Sequence, residues 1–201
     1  MMNHLISNMH PIQNLKRQCK RLILGLLTLL LSAQAFAIEP VLSELNDSLN
    51  PPQMVGSGTL KYFGFKIYDA YFYANDEQAL DGFALRLDYA LKIRSSDLLR
   101  FTMKNLRQVR APEASLPKWE KELIELFPDV ESGHRITAIY SLDGSTSFFH
   151  NGKKIGKIVD AMFARYFFGI WFDPRTSSPT LRRKLLGAHC APRIISTNCE
   201  R

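Results

Sequence analysis

The sequence predicts an α+β domain in which helices pack on one side of an antiparallel sheet. Three observations carry this expectation. Residues 83–94 alternate strictly between apolar and polar side chains, which is the pattern of a strand with one buried face. Apolar residues at helical spacing follow directly. Two dipeptides favoured in tight hairpins, Asp143-Gly144 and Asn151-Gly152, then punctuate a later run of strand-like segments. Strands and helices thus fall in separate runs, which argues against alternating βα units.

The elements follow in order. Residues 55–74 are rich in aromatic and β-branched side chains, with glycines at 56, 58 and 64, and suit a bent hairpin or two short strands. In the second half, Ile67, Asp69, Tyr71 and Tyr73 share one face, and Lys66, Tyr68, Ala70 and Phe72 share the other. Along residues 83–94 the core face is Phe83, Leu85, Leu87, Tyr89, Leu91 and Ile93, and the opposite face is expected to be wet. A serine N-cap at Ser96 then precedes Leu99, Met103 and Leu106, so a helix should run to about Val109. A second helix should begin around Pro117 and bury Trp119, Leu123, Ile124 and Phe127 before Pro128 ends it. In the meander, Ile136, Ala138, Tyr140 and Leu142 face inward, and residues 145–150 and 153–158 follow the two turns. Residues 161–172 are apolar nearly all round, as in a central buried helix. Ser178, Pro179, Lys184 and Gly187 give the start and stop signals of a short final helix.

Residues 1–37 have the parts of a cleavable secretory signal: basic Lys16, Arg17, Lys20 and Arg21, an apolar run over 22–31, and Ala35-Phe36-Ala37 at the junction. The apolar run is about half the ~20 residues a membrane-crossing helix needs. The expected product is a periplasmic or secreted protein starting near Ile38, with no membrane span. It would comprise a polar lead-in (38–53), one domain (54–187) and a tail (188–201). The chain's 26 Lys and Arg against 19 Asp and Glu include the four signal cations, so the exported part is only slightly basic. That balance gives no reason to expect a nucleic-acid partner. Cys190 and Cys199 both lie in the tail, where an oxidising compartment would allow them to pair; two exposed thiols are the alternative.

Particular words within this order resemble the chalcone-isomerase-like family, and most closely its bacterial exported branch. They are Val55-Gly56-Ser57-Gly58, the run Lys66-Ile67-Tyr68-Asp69-Ala70-Tyr71-Phe72-Tyr73, and Trp119 with Phe127-Pro128-Asp129-Val130. Phe148-Phe149-His150-Asn151-Gly152-Lys153-Lys154-Ile155-Gly156, Phe168-Gly169-Ile170-Trp171-Phe172, Ser177-Ser178-Pro179 and Leu181-Arg182-Arg183 complete the set. The resemblance implies an open-faced β-sandwich: a curved antiparallel sheet covered on one side by helices, with a lipophilic cleft between the layers. It further implies two kinds of function. Catalytic members close a flavanone ring using an arginine two residues after a Gly-x-Gly, with threonine, tyrosine and asparagine beside it. Non-catalytic relatives hold a fatty-acid carboxylate with arginine and tyrosine. Here the position two residues after Gly58 is Leu60, the nearest cation is Lys61, and Tyr68 aligns with the threonine.

The leading expectation is therefore an exported, non-catalytic binder of a lipophilic, anionic, fatty-acid-like molecule, without a cofactor. Lys61, Tyr68, Tyr71 and Tyr73 are expected near the cleft mouth, because such a ligand needs apolar walls and a few placed polar groups. The alternative for the tyrosines is packing against the helices with hydroxyls at the rim. The competing function is an intramolecular lyase in which Lys61 and Tyr73 stabilise an oxyanion. Arg94, Arg100, Arg107 and Arg110 read as a solvated face, from which Arg107 is expected to reach the cleft end. The cluster Arg182-Arg183-Lys184 reads as compensation of a helix dipole. His134, His150 and His189 lack paired ligand spacing, so no metal site is expected.

Overall fold

The computed structural model describes residues 43–46, 49, 52–75 and 82–196, all within the unit Val41–Arg201. The expected signal segment, part of the lead-in and Cys199 lie outside the described residues. Alternating side chains and short turns build six strands: β1 (Gln53–Tyr62), β2 (Phe65–Ala74), β3 (Gly82–Tyr89), β4 (Arg135–Ser141), β5 (Ser145–His150) and β6 (Lys153–Val159). They pair antiparallel in sequence order into one open sheet, β1-β2-β3-β4-β5-β6. Asn151 and Gly152 make the two-residue β5–β6 turn with φ of 50° and 82°, both positive, as such hairpins require.

Five α-helices accompany the sheet among the described residues: α1 (Ser43–Asn46), α2 (Ser95–Gln108), α3 (Leu116–Leu126), α4 (Ala161–Phe172) and α5 (Pro179–Leu186). The core forms where α2 to α5 meet one sheet face. Phe72, Phe83, Leu85 and Phe148 from the strands are buried there with Trp119, Phe163, Phe168 and Phe172 from the helices. Phe83 stacks on Tyr140 with centroids 5.1 Å apart and meets the edge of Phe168 at 4.6 Å. As its all-round apolarity predicts, α4 is central. Its N-terminus is capped by Asp160, whose Oδ1 accepts hydrogen bonds from the Met162 and Phe163 backbone N–H groups, each at 3.0 Å. The other end of the layer is set by α5. A Cβ at Gly56 would overlap the Leu185 carbonyl oxygen, and one at Gly58 would stand 2.8 Å from Leu181 Cδ1. Only glycine lets β1 lie this close to the helix.

Several expectations are corrected, among them the inward facing of Ile124 and Leu142, which are 61% and 66% exposed. The second face of β3 is not wet: Ala84 is fully buried and Arg86 is 8% exposed. The lead-in is the reason, because Leu45 and Leu49 pack against Tyr73, Ala84 and Ile139 on that face. Beside them the Glu44 carboxylate accepts a hydrogen bond from Thr137 Oγ1 at 2.5 Å. The strand also stops at Tyr89, and Ile93 makes only an isolated bridge to Val130. Finally, α2 starts at Ser95 without a side-chain cap of its own. Asp129 serves instead, its Oδ1 accepting from the Ser95 N–H at 2.7 Å.

Candidate functional site

A break in strand regularity shapes the site. Leu60 pairs with Tyr68, but Lys61 pairs with Lys66, so Ile67 is an extra residue bulging from β2. Tyr68 in turn pairs with Tyr89 on β3. Leu60, Tyr68 and Tyr89 therefore form one cross-strand row on the helix-covered face. Opposite this row, α4 presents Phe167, Ile170 and Trp171, and α2 presents Leu98, Phe101, Thr102 and Asn105. With Leu87, Phe127 and Ile136 they enclose a cavity of about 580 Å³, within the ~300–1,000 Å³ typical of small-molecule sites.

The walls are apolar apart from a few placed groups. Trp171 Nε1 donates to Tyr68 Oη at 3.0 Å, which leaves the Tyr68 hydroxyl proton available to another acceptor. The Tyr68 and Tyr89 rings meet edge to face at 5.8 Å. Burial pushes the Tyr68 hydroxyl up to about 12, against the opposing effect of the Trp171 hydrogen bond. Tyr89 is raised as well, by burial first and then by Tyr68. Both hydroxyls are thus neutral donors at physiological pH, suited to an oxygen acceptor in an apolar chamber.

Charge gathers on the same lining. Lys61, Lys92, Arg100 and Lys104 border the cavity against one carboxylate, Asp97. Asp97 is held by Arg100 at 2.8 Å and Arg94 at 3.3 Å, and Lys92 pairs with Glu131 at 3.0 Å. On the α2 wall, Ser177 Oγ donates to Asn105 Oδ1 at 2.7 Å, fixing the amide.

Of the residues expected to form the site, Lys61 and Tyr68 border the cavity and Tyr71, Tyr73 and Arg107 do not. Side chains on a strand alternate, so Tyr71 and Tyr73 project to the other face from Tyr68. There the Arg86 guanidinium lies 4.3 Å from the Tyr71 ring centroid and 5.7 Å from that of Tyr73. Lys61 is exposed, and its pairing partner Lys66 binds Asp69 at 2.5 Å on that same far face. Directly opposed side chains share a face, so Lys61 borders the cavity from the sheet's edge, not from within. Arg107 lies outside the lining and pairs with Glu113 at 3.5 Å. Alternation also placed Tyr89 on the inward face of its strand, while Trp171, Arg100 and Lys104 were not expected in the site.

Two of the histidines lie side by side. His150 Nε2 lies 3.2 Å from His134 Nδ1. No group of three or more metal-ligating side chains occurs among the described residues. Cys190 is disulfide-bonded. No helix among the described residues is long and apolar enough to cross a membrane.

Residues 47–187 match the family model described as chalcone isomerase-like. The chain belongs to the chalcone isomerase-like family. No curated protein sequence matches it significantly. Among solved structures, it is similar to a fatty-acid binding protein of Arabidopsis thaliana, with a TM-score of 0.55 and 12% identity. That match covers 68% of this chain and 87% of the other. At such identity the likeness is one of fold: an α+β layer with an open six-stranded antiparallel sheet. Leu60 forms part of the cavity wall on the sheet side.

Proposed function

We propose that this chalcone isomerase-like protein is exported and binds a lipophilic anion of the fatty-acid type without transforming it. The observation that carries the reading is an apolar cavity with a neutral tyrosine row on one wall and the cations of α2 on the other. An aliphatic tail suits the Leu87, Ile136, Phe127 and Phe167 surfaces. A carboxylate head can take hydrogen bonds from Tyr68 and Tyr89, with Coulombic support from Arg100 and Lys104 on α2. Leucine at position 60 favours binding over ring closure, because an aliphatic side chain offers nothing to a developing oxyanion. The likeness to a protein named for fatty-acid binding agrees with this choice.

Native mass spectrometry of protein purified without delipidation tests the reading, together with displacement of a fluorescent long-chain carboxylate. A co-purifying acid and competition by free long-chain acids are expected. Consistently empty protein that no such acid occupies would overturn the reading. Cyclisation of a hydroxychalcone that disappears in Tyr68→Phe would replace it with the lyase. Export predicts a mature N-terminus near Ile38; protein retained with residues 1–37 in the cytoplasmic fraction would refute that part.

A further inference from the structure

The turn between β1 and β2 places a bulky residue in a conformation that bulky residues avoid. Tyr62 pairs with Phe65, and the two residues between them, Phe63 and Gly64, have φ of 48° and 83°. Two-residue hairpin turns of this kind favour Asn-Gly or Gly-Gly, and this chain uses Asn151-Gly152 for its β5–β6 turn. Phenylalanine in the left-handed region is a strained choice. Burial does not compensate, because Phe63 is 84% exposed, Tyr62 63% and Phe65 68%. The Tyr62 and Phe63 rings touch each other, with centroids 4.5 Å apart. A strained, exposed aromatic tip points to a role outside the fold.

Its location narrows the partner. Tyr62 belongs to the cavity lining, as do Phe101 and Leu91, which are 50% and 38% exposed. The aromatic tip is thus continuous with an apolar rim around the cavity. The rim is basic, since Lys61, Lys92, Arg100 and Lys104 outnumber Asp97, which two arginines already hold. Glu131 offsets Lys92 from outside the lining. Exposed aromatics among cations match the surface of an anionic bilayer: rings settle at the headgroup level and cations meet lipid phosphates.

We propose that the hairpin tip docks the cavity mouth onto an anionic lipid bilayer. Docking stands whether or not the cavity holds a lipid; cargo exchange in the docked state rests on the binding reading above. Flotation of the purified protein with phosphatidylglycerol-rich vesicles, compared with pure phosphatidylcholine, tests it. Flotation with the anionic vesicles is expected, weaker with the zwitterionic ones and weaker at high salt. Phe63→Gly and Phe65→Ser should each weaken partitioning about tenfold. Phe63→Gly should keep or raise the thermal midpoint, because glycine relieves the turn. Both variants should retain wild-type affinity for a fluorescent long-chain carboxylate in vesicle-free solution. Wild-type protein that binds the carboxylate but does not float would defeat docking alone, and floating protein with no carboxylate affinity would defeat the binding reading alone. Undiminished flotation by the variants would overturn the assignment to the tip. So would wild-type dimers that become monomers in the variants, since a second copy would then cover the tip.

Discussion

Tyr68→Phe removes one oxygen from the cavity and leaves the ring that fills the wall. Two consequences separate cleanly. Trp171 Nε1 loses its acceptor at 3.0 Å, and Trp171 is 8% exposed. A buried donor without a partner costs about 1–3 kcal/mol. Because this one borders a cavity that can admit water, the lower end, about 1 kcal/mol, is expected for the folding cost. The ligand should lose more. A hydrogen bond to a charged group is worth roughly 1.5–3 kcal/mol, so affinity for a long-chain carboxylate should fall about ten- to a hundredfold. Fluorescent-ligand displacement reads the second effect and urea denaturation the first. The methyl ester of the same acid is the control: it keeps the tail and removes the charge, so its binding should change far less. Equal losses for acid and ester, or an unchanged acid affinity, would refute the placement of the head group beside Tyr68.

Asp160→Ala should destabilise the fold by roughly 2–4 kcal/mol in urea denaturation, from about 1 for a lost N-cap and about 1–3 for a buried Trp119 indole N–H left without its acceptor; a loss under about 1 kcal/mol would refute this account. Burial opposes ionisation of Asp160, but the bonds from Lys118, the Phe163 N–H and Trp119 outweigh it and hold the group at about 2. Its contribution should therefore be complete above about pH 4 and disappear as pH falls towards 2, a slope absent in the variant. His150 gives a slope of the same sign at higher pH. Burial first, and then His134, lower its pKa, so the unfolded chain takes up a proton more readily than the folded one. Stability should decline as pH falls from about 7 to about 5, and His150→Gln should flatten that slope; an unaltered slope would assign it elsewhere.

The sheet was legible because its signals are local. The strand over residues 83–89, the Asp143-Gly144 and Asn151-Gly152 turns, and the uniform apolarity of α4 survive in the structure, whereas the wet second face of β3 and its extension to residue 94 do not. The cavity was legible only in part. Tyr68 cannot share a wall with Tyr71 and Tyr73 on one regular strand, so the alternation already excluded grouping all three. The Ile67 bulge has no residue-type signature, and it is what separates Tyr68 from Lys66 in facing. Covering of the far face by Leu45 and Leu49 was invisible because a one-turn helix has no period to detect. The histidine pair was recoverable in principle. Folding the β4–β5 hairpin about Asp143 sets Ile136 opposite His150, which makes His134, two positions before Ile136, its diagonal neighbour on the same face.

The Gly-x-Gly word shows why a motif must be judged by what its residues touch. Gly56 and Gly58 sit beneath α5, where the Leu185 carbonyl and the Leu181 side chain leave no room for a Cβ. Backbone contact therefore requires glycine at 56 and close side-chain packing favours it at 58, so their presence carries no weight for catalysis. The discriminating position is the next inward one, Leu60, which shares a row with Tyr68 and Tyr89. A leucine there gives that row an aliphatic side chain beside the two tyrosines. Coulombic attraction of a carboxylate that Tyr68 and Tyr89 hydrogen-bond then falls to Arg100 and Lys104 on α2, at the rim that the proposed bilayer contact would cover. Lys104 is exposed, and cations of that kind attract anions over a distance and release them at modest cost. A site built this way suits taking up and giving back an amphiphile better than holding a transition state.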